Sequence, residues 1–173
     1  MDALEVMETR RSCRSFSDRT VEPEKLDAII KAGQYAPSGM GRQSATFVAV
    51  TDPATVAALS KMNAQIMGTD IDPFYGGKTV IVVLADSTVP THMEDGSLAM
   101  GNLLNAAHAV GVDSIWIHRA KEEFESEAGR ALLATWGLPA DGTLRGIGHC
   151  VLGYAAGELP EAKPRRDNVV YVK

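Results

Sequence analysis

Leu26, Ile29, Ile30 and Gly33 recur at the three- and four-residue intervals of a helix face, so VEPEKLDAIIKAGQYAPSG predicts a helix. Pro23 suits its first turn, Glu22 and Glu24 complement the positive helix end, and Pro37 with Gly39 stops it. Leu4 and Met7 predict a shorter helix that runs out at the basic segment RRSCRSF, Arg10 to Phe16. Thr46 to Asp52 reads as a strand, and Pro53 starts a helix through about Met67. After the turn formers of GTDIDPFYGG, the run Thr79 to Ala85 is almost wholly apolar, the pattern of a strand buried on both faces.

Between Met93 and Val110 the apolar residues cover nearly every helical direction: Leu98, Met100, Leu103, Leu104, Ala107 and Val110. A helix apolar all round must be buried all round. One small subunit cannot easily do that, so the pattern predicts packing against a second copy. VDSIWIH predicts a third strand, and KEEFESEAGRALLATWGL a single helix ended by Gly137 and Pro139. LRGIGHCVLGYA predicts a fourth strand, whose glycines point to bulges or to the close approach of something flat. The last segment, GELPEAKPRRDNVVYVK, has two prolines and then a β-prone run. Such a tail is expected to embrace a partner.

Composition narrows the class. The 173 residues fit one domain spanning 1–173, large enough to bury a core without a metal or disulfide staple. Seventeen basic and 22 acidic side chains leave a net charge of −5, which argues against nucleic acid as a partner. No apolar stretch approaches a membrane span, and acids stand where a signal peptide needs positive charge, so a soluble, cytoplasmic protein is expected. Two isolated cysteines, Cys13 and Cys150, form no disulfide framework and suit a reducing compartment. The four histidines lack metal-ligand spacing. Neither GxGxxG after the first strand nor GxxxxGK[ST] occurs, so a dinucleotide or P-loop fold is not expected.

Two basic clusters stand out in an acidic chain. Arg10, Arg11 and Arg14 crowd around Ser12, and Lys163, Arg165 and Arg166 crowd near the other end. Guanidinium groups offer planar, bidentate donors that fit phosphate oxygens, and Ser12 adds a hydroxyl. The same arginines are expected to lower the thiol pKa of Cys13. APSGMGRQ, Ala36 to Gln43, is the second candidate. Its glycines admit a planar ligand close to the backbone, with Ser38 and Gln43 as donors.

Arg-Arg-Ser-x-Arg-x-Phe, then APSGMxxQ, an Ala-rich buried helix and a terminal Lys-Pro-Arg, in that order, resemble the FMN-dependent nitroreductase family. The resemblance implies an α+β fold: a three-layer α-β-α sandwich around a mixed sheet, dimeric, with tail 158–173 packed on the partner. It also implies that Arg10, Arg11 and Ser12 bind the FMN phosphate and ribityl chain, and that Arg14 reaches toward the flavin pyrimidine edge. Lys163 and Arg165 would close on the phosphate. Pro37, Ser38, Gly39, Met40 and Gln43 would form the loop that the other subunit lays beside the flavin ring, and Asn63 would stand near that ring. The chain departs from the family pattern in carrying Gly41 for a common Asn, and Gln43-Ser44-Ala45 for Gln-Pro-Trp. It also lacks most of the excursion that walls the substrate pocket in longer relatives. The activity implied is that of a homodimeric oxidoreductase passing electrons from NADH or NADPH through FMN to a small nitroaromatic or quinone-like acceptor. The rival readings are reductive dehalogenation on the same fold and a flavin-binding sensor or storage protein without turnover.

Overall fold

A computed structural model describes residues 1–173. Its helices are α1 (Ala3–Thr9), α2 (Pro23–Gln34), α3 (Pro53–Met67), α4 (His92–Ala109), α5 (Ala120–Glu125) and α6 (Glu127–Thr135). Its strands are β1 (Ala45–Val50), β2 (Thr79–Asp86), β3 (Asp113–Ile117) and β4 (Leu144–Gly153). They form one sheet in the order β1-β2-β4-β3. All three pairings are antiparallel, where a mixed sheet was expected. The reason is topological: β2 and β3 do run parallel to each other, but β4 inserts between them and opposes both. The one parallel pairing is the bridge from Ser12 to Ser114, on the free edge of β3.

The sheet is the middle of three layers. Val80, Val82 and Leu84 of β2 face Val56 and Leu59 of α3, Phe124 of α5 and Leu133 of α6. The alternate residues Ile81, Val83 and Ala85 face Leu26 and Ile29 of α2 and Met100, Leu103 and Ala107 of α4. Strand β2 is thus buried on both faces, as its unbroken apolar run predicts.

The glycines of β4 mark a bulge. Val83 pairs with Gly148 and Leu84 with Gly146, which leaves Ile147 as an extra residue. The flat group that approaches is an indole from within the chain: a Cβ on Gly148 would lie 2.2 Å from Nε1 of Trp116. The predicted single helix after β3 is two. Ser126 adopts an extended conformation, and its Oγ accepts the N–H of Gly129 at 3.0 Å, a preferred N-cap that opens a new helix.

Helix α4 buries one face on the sheet but leaves Leu98 49% exposed and open space beside Gly101. The tail from Pro160 onward is exposed throughout and forms no strand within the chain. No helix is long and apolar enough to cross a membrane.

Candidate cofactor site

The basic run is held between three parts of the fold. The Cys13 N–H donates to Ser114 O at 3.0 Å, Phe16 N–H to Tyr75 O at 3.0 Å, and Ser17 N–H to Tyr154 O at 2.7 Å. Ala156 N–H returns to Ser15 O at 2.9 Å. Ser12 to Ser15 therefore share a cleft of about 490 Å³ with Ala155 to Pro160, where the tail departs. The ends of the chain that carry the two basic clusters are joined at their roots. Lys163 and Arg165 stand on the exposed tail beyond this point.

Arg10 is the most informative member. Its Nη1 is buried without a hydrogen-bond partner. Burial and then the neighbouring Arg11 push its guanidinium below the ordinary value, and Cys150 opposes them only in part. An anion placed beside Arg10 would relieve both effects. Arg11 turns back on the chain, its Nη1 donating to the carbonyls of Glu8 and Arg10 at 2.8 Å each. Ser12 is half-buried and Arg14 exposed. The cysteine among these arginines does not behave as expected. Cys13 is buried, and burial raises its thiol above the usual value, with the carbonyl of Ser15 and the charge of Asp113 as smaller influences of opposite sign.

The loop from Pro37 to Gln43 is backbone-strained and well tied. Met40, Gly41 and Gln43 all have left-handed φ, at 55°, 66° and 50°. Ser38 Oγ accepts the Gln43 N–H at 3.0 Å. Asp95 of α4, 4% exposed, accepts from Gly39 N–H at 2.8 Å, from Ser44 Oγ at 2.7 Å and from Thr91 Oγ1 at 3.2 Å. Pro37, Met40 and Gln43 consequently present their side chains outward, Met40 at 88% exposure. The loop borders a cavity of about 1010 Å³ that reaches along Ala45, Thr46 and Phe47 of β1.

The basic run and this loop lie at opposite edges of the sheet. The loop leads into edge strand β1, and Ser12 pairs beyond edge strand β3. Four interstrand spacings of about 4.8 Å separate them by about 19 Å, so one chain does not bring them together.

Asn63 lies elsewhere, fully buried. Its Nδ2 donates to His118 O at 2.7 Å and to Glu123 Oε1, and its Oδ1 accepts from Arg119 Nε at 2.9 Å. Both amide hydrogens are used inside the chain, so Asn63 holds the β3–α5 turn. Lys78 pairs with Asp18. A cleft of about 730 Å³ between α3 and the loop 69–79 is lined in part by Phe74 and Lys78 but by none of the candidate FMN-binding residues. Asp95, Arg119, Glu123 and His149 escaped the sequence reading. An acid among the small and apolar residues of α4, beside Glu94, was the available signal for Asp95; the others are joined only by tertiary contacts.

Residues 7–72 match the Nitroreductase family. A protein of Archaeoglobus fulgidus, provisionally named NADH dehydrogenase/NAD(P)H nitroreductase, is 34% identical over 143 residues, covering 80% of this chain and 78% of that one. The FMN reductase [NAD(P)H] of Bacillus subtilis is 26% identical over 131 residues, covering 66% of this chain and 53% of that protein. Among solved structures, a nitroreductase with bound FMN from Bacteroides fragilis superposes with a TM-score of 0.89, covering 100% of both chains at 24% identity. Sharing that fold from end to end, and a third of its aligned residues with the Archaeoglobus protein, this chain belongs to the nitroreductase family.

Proposed function

We propose that this chain is one half of a homodimeric, FMN-dependent oxidoreductase that takes reducing equivalents from NADH or NADPH and passes them to a small electron-poor acceptor, nitroaromatic or quinone-like. The observation that carries this reading is the buried, unpartnered Nη1 of Arg10, a cation whose charge its surroundings disfavour. The relatives named above add support, since one structure holds FMN and one protein is named as an NAD(P)H-dependent FMN reductase.

FMN, when bound, supplies the hydride and electron chemistry. The chain's own part is to bind and orient it. Arg10, Arg11 and Ser12 hold the phosphate and ribityl chain, with Lys163 and Arg165 closing from the tail. Arg14 offers a fixed positive charge at the pyrimidine edge, where negative charge gathers on reduction. Pro37, Ser38, Gly39, Met40 and Gln43 come from the second copy, because the loop and the basic run of one chain sit at opposite sheet edges. The exposed Leu98 of α4 and the exposed apolar run Val169 to Val172 support that assembly. No general acid or nucleophile from the chain is required.

The test is the visible spectrum of protein given excess FMN and then gel-filtered. One retained flavin per subunit, lost in Arg10→Ala, supports the reading; a colourless wild-type protein overturns it. Steady-state oxidation of NAD(P)H with a quinone then separates an enzyme from a flavin-binding sensor, and parallel double-reciprocal lines identify ping-pong turnover.

A further inference from the structure

We propose that Arg119 is an oxyanion-recognition residue, which binds a carboxylate or phosphate oxygen of a substrate at the turn between β3 and α5. This deepens the oxidoreductase reading and rests on it for the identity of the substrates.

The turn is built at evident cost. Arg119 has φ 75°, the left-handed region disfavoured for any residue with a Cβ. Strain of that kind persists only where surrounding contacts impose it. Here they do. Arg119 Nε donates to Asn63 Oδ1 at 2.9 Å, Asn63 donates to Glu123 Oε1 and to His118 O, and Glu123 Oε2 meets His149 Nε2 at 2.9 Å. Asn63, Glu123 and His149 have no exposed surface. The His149 ring packs against Phe74 and Phe124, with centroids 5.3 and 6.2 Å away. A buried polar chain of this length is expensive. Its outlet toward the surface is the half-buried Arg119.

The guanidinium is fixed by its Nε alone. Nη1 and Nη2 make no hydrogen bond and no ion pair within the chain. The end-on edge, Nη1 and Nη2, is left free, and its two parallel N–H groups match a carboxylate or phosphate. Position separates this anion from the cofactor phosphate. Ser12 bridges Ser114 on the edge of β3, and His118 lies four residues further along. At about 3.3 Å per residue the turn stands about 13 Å beyond Ser12. The ligand is therefore a substrate oxyanion: a carboxylate on the acceptor, or the extra phosphate that distinguishes NADPH from NADH.

The experiment compares flavin-loaded wild-type protein with Arg119→Gln and Arg119→Lys. Para-nitrobenzoate and para-nitrobenzamide serve as matched acceptors, NADPH and NADH as matched donors, and calorimetric binding of benzoate as a readout independent of turnover. Loss of a charge-assisted pair is expected to weaken the anionic member by about tenfold to a hundredfold relative to its neutral partner. The Lys variant should recover part of that loss. A shift confined to the nitrobenzoate ratio, with weaker benzoate binding, identifies the acceptor as the source; one confined to the NADPH/NADH ratio identifies the donor. Unchanged ratios in a variant of wild-type melting temperature overturn the proposal, as do equal changes for charged and neutral substrates. Wild-type protein that takes up no flavin overturns the oxidoreductase reading instead, and the benzoate titration still tests Arg119.

Discussion

The Asp95 carboxylate receives the Gly39 N–H on Oδ1 at 2.8 Å and the Ser44 hydroxyl on Oδ2 at 2.7 Å, so one buried acid pins both ends of a strained loop. Burial works to raise Asp95, but the bonds from Gly39, Ser44 and Thr91, aided by His92, prevail and hold it below the usual carboxylate value. Asp95→Ala leaves the loop amide and a buried hydroxyl without an acceptor. The expected loss is about 1.5–3 kcal/mol of unfolding free energy, measured in urea, with faster hydrogen exchange at Gly39.

A second carboxylate sets an acid limb. Glu22 accepts the Tyr154 hydroxyl on Oε2 and Arg19 Nη2 on Oε1 at 2.6 Å, which pulls it from 4.5 down to about 2. A depressed pKa stabilises the fold at pH values above the unfolded pKa, and that contribution is lost as pH falls through the folded one. Between about pH 4.5 and 2, wild-type stability should therefore fall more steeply than that of Glu22→Gln. Chemical denaturation across that range measures the difference; parallel curves would remove Glu22 from the acid response.

Gly148→Ala drives a methyl to within 2.2 Å of the Trp116 indole nitrogen. Overpacking of this kind is expected to cost about 1–3 kcal/mol and to shift tryptophan fluorescence.

Helices and strands were legible in the sequence wherever one local rule decided the outcome. Pro23 and Pro53 open helices, and the apolar run of β2 demands cover on both sides. Ser126 was misread because continuous helical periodicity concealed a cap. The contacts of Asn63 could not be read for a deeper reason. A polar residue on a helix shows that it needs partners but not where they are, and its partners His118 and Glu123 lie 55 and 60 residues away. The basic run could be read because charge clustering is local. That this run and the Pro37–Gln43 loop lie at opposite sheet edges could not, because it depends on strand order.

Arg14 is exposed, and no ion pair within the chain engages it. If it faces the reduced flavin, Arg14→Ala makes reduction harder and lowers the midpoint potential, as a redox titration would show. An unchanged potential removes that role.

Ending the chain after Gly157 removes the exposed tail with Lys163 and Arg165. The domain should keep its secondary structure by circular dichroism. It should sediment as a monomer and lose FMN on gel filtration; a persistent dimer would show that the tail is not what joins the copies.

The bulge in β4 bears on how this chain can change over generations. Ile147 shares its face of the sheet with Cys150 and Leu152, although plain alternation would place it with Val151. The parity of the strand is switched by that one added residue. A codon gained or lost between Gly146 and Gly148 would turn Leu144 and Arg145 to the opposite layer and leave α4 facing the wrong side chains. Length variation is barred there and admitted at the exposed turn of Asp141 and Gly142, a few residues away.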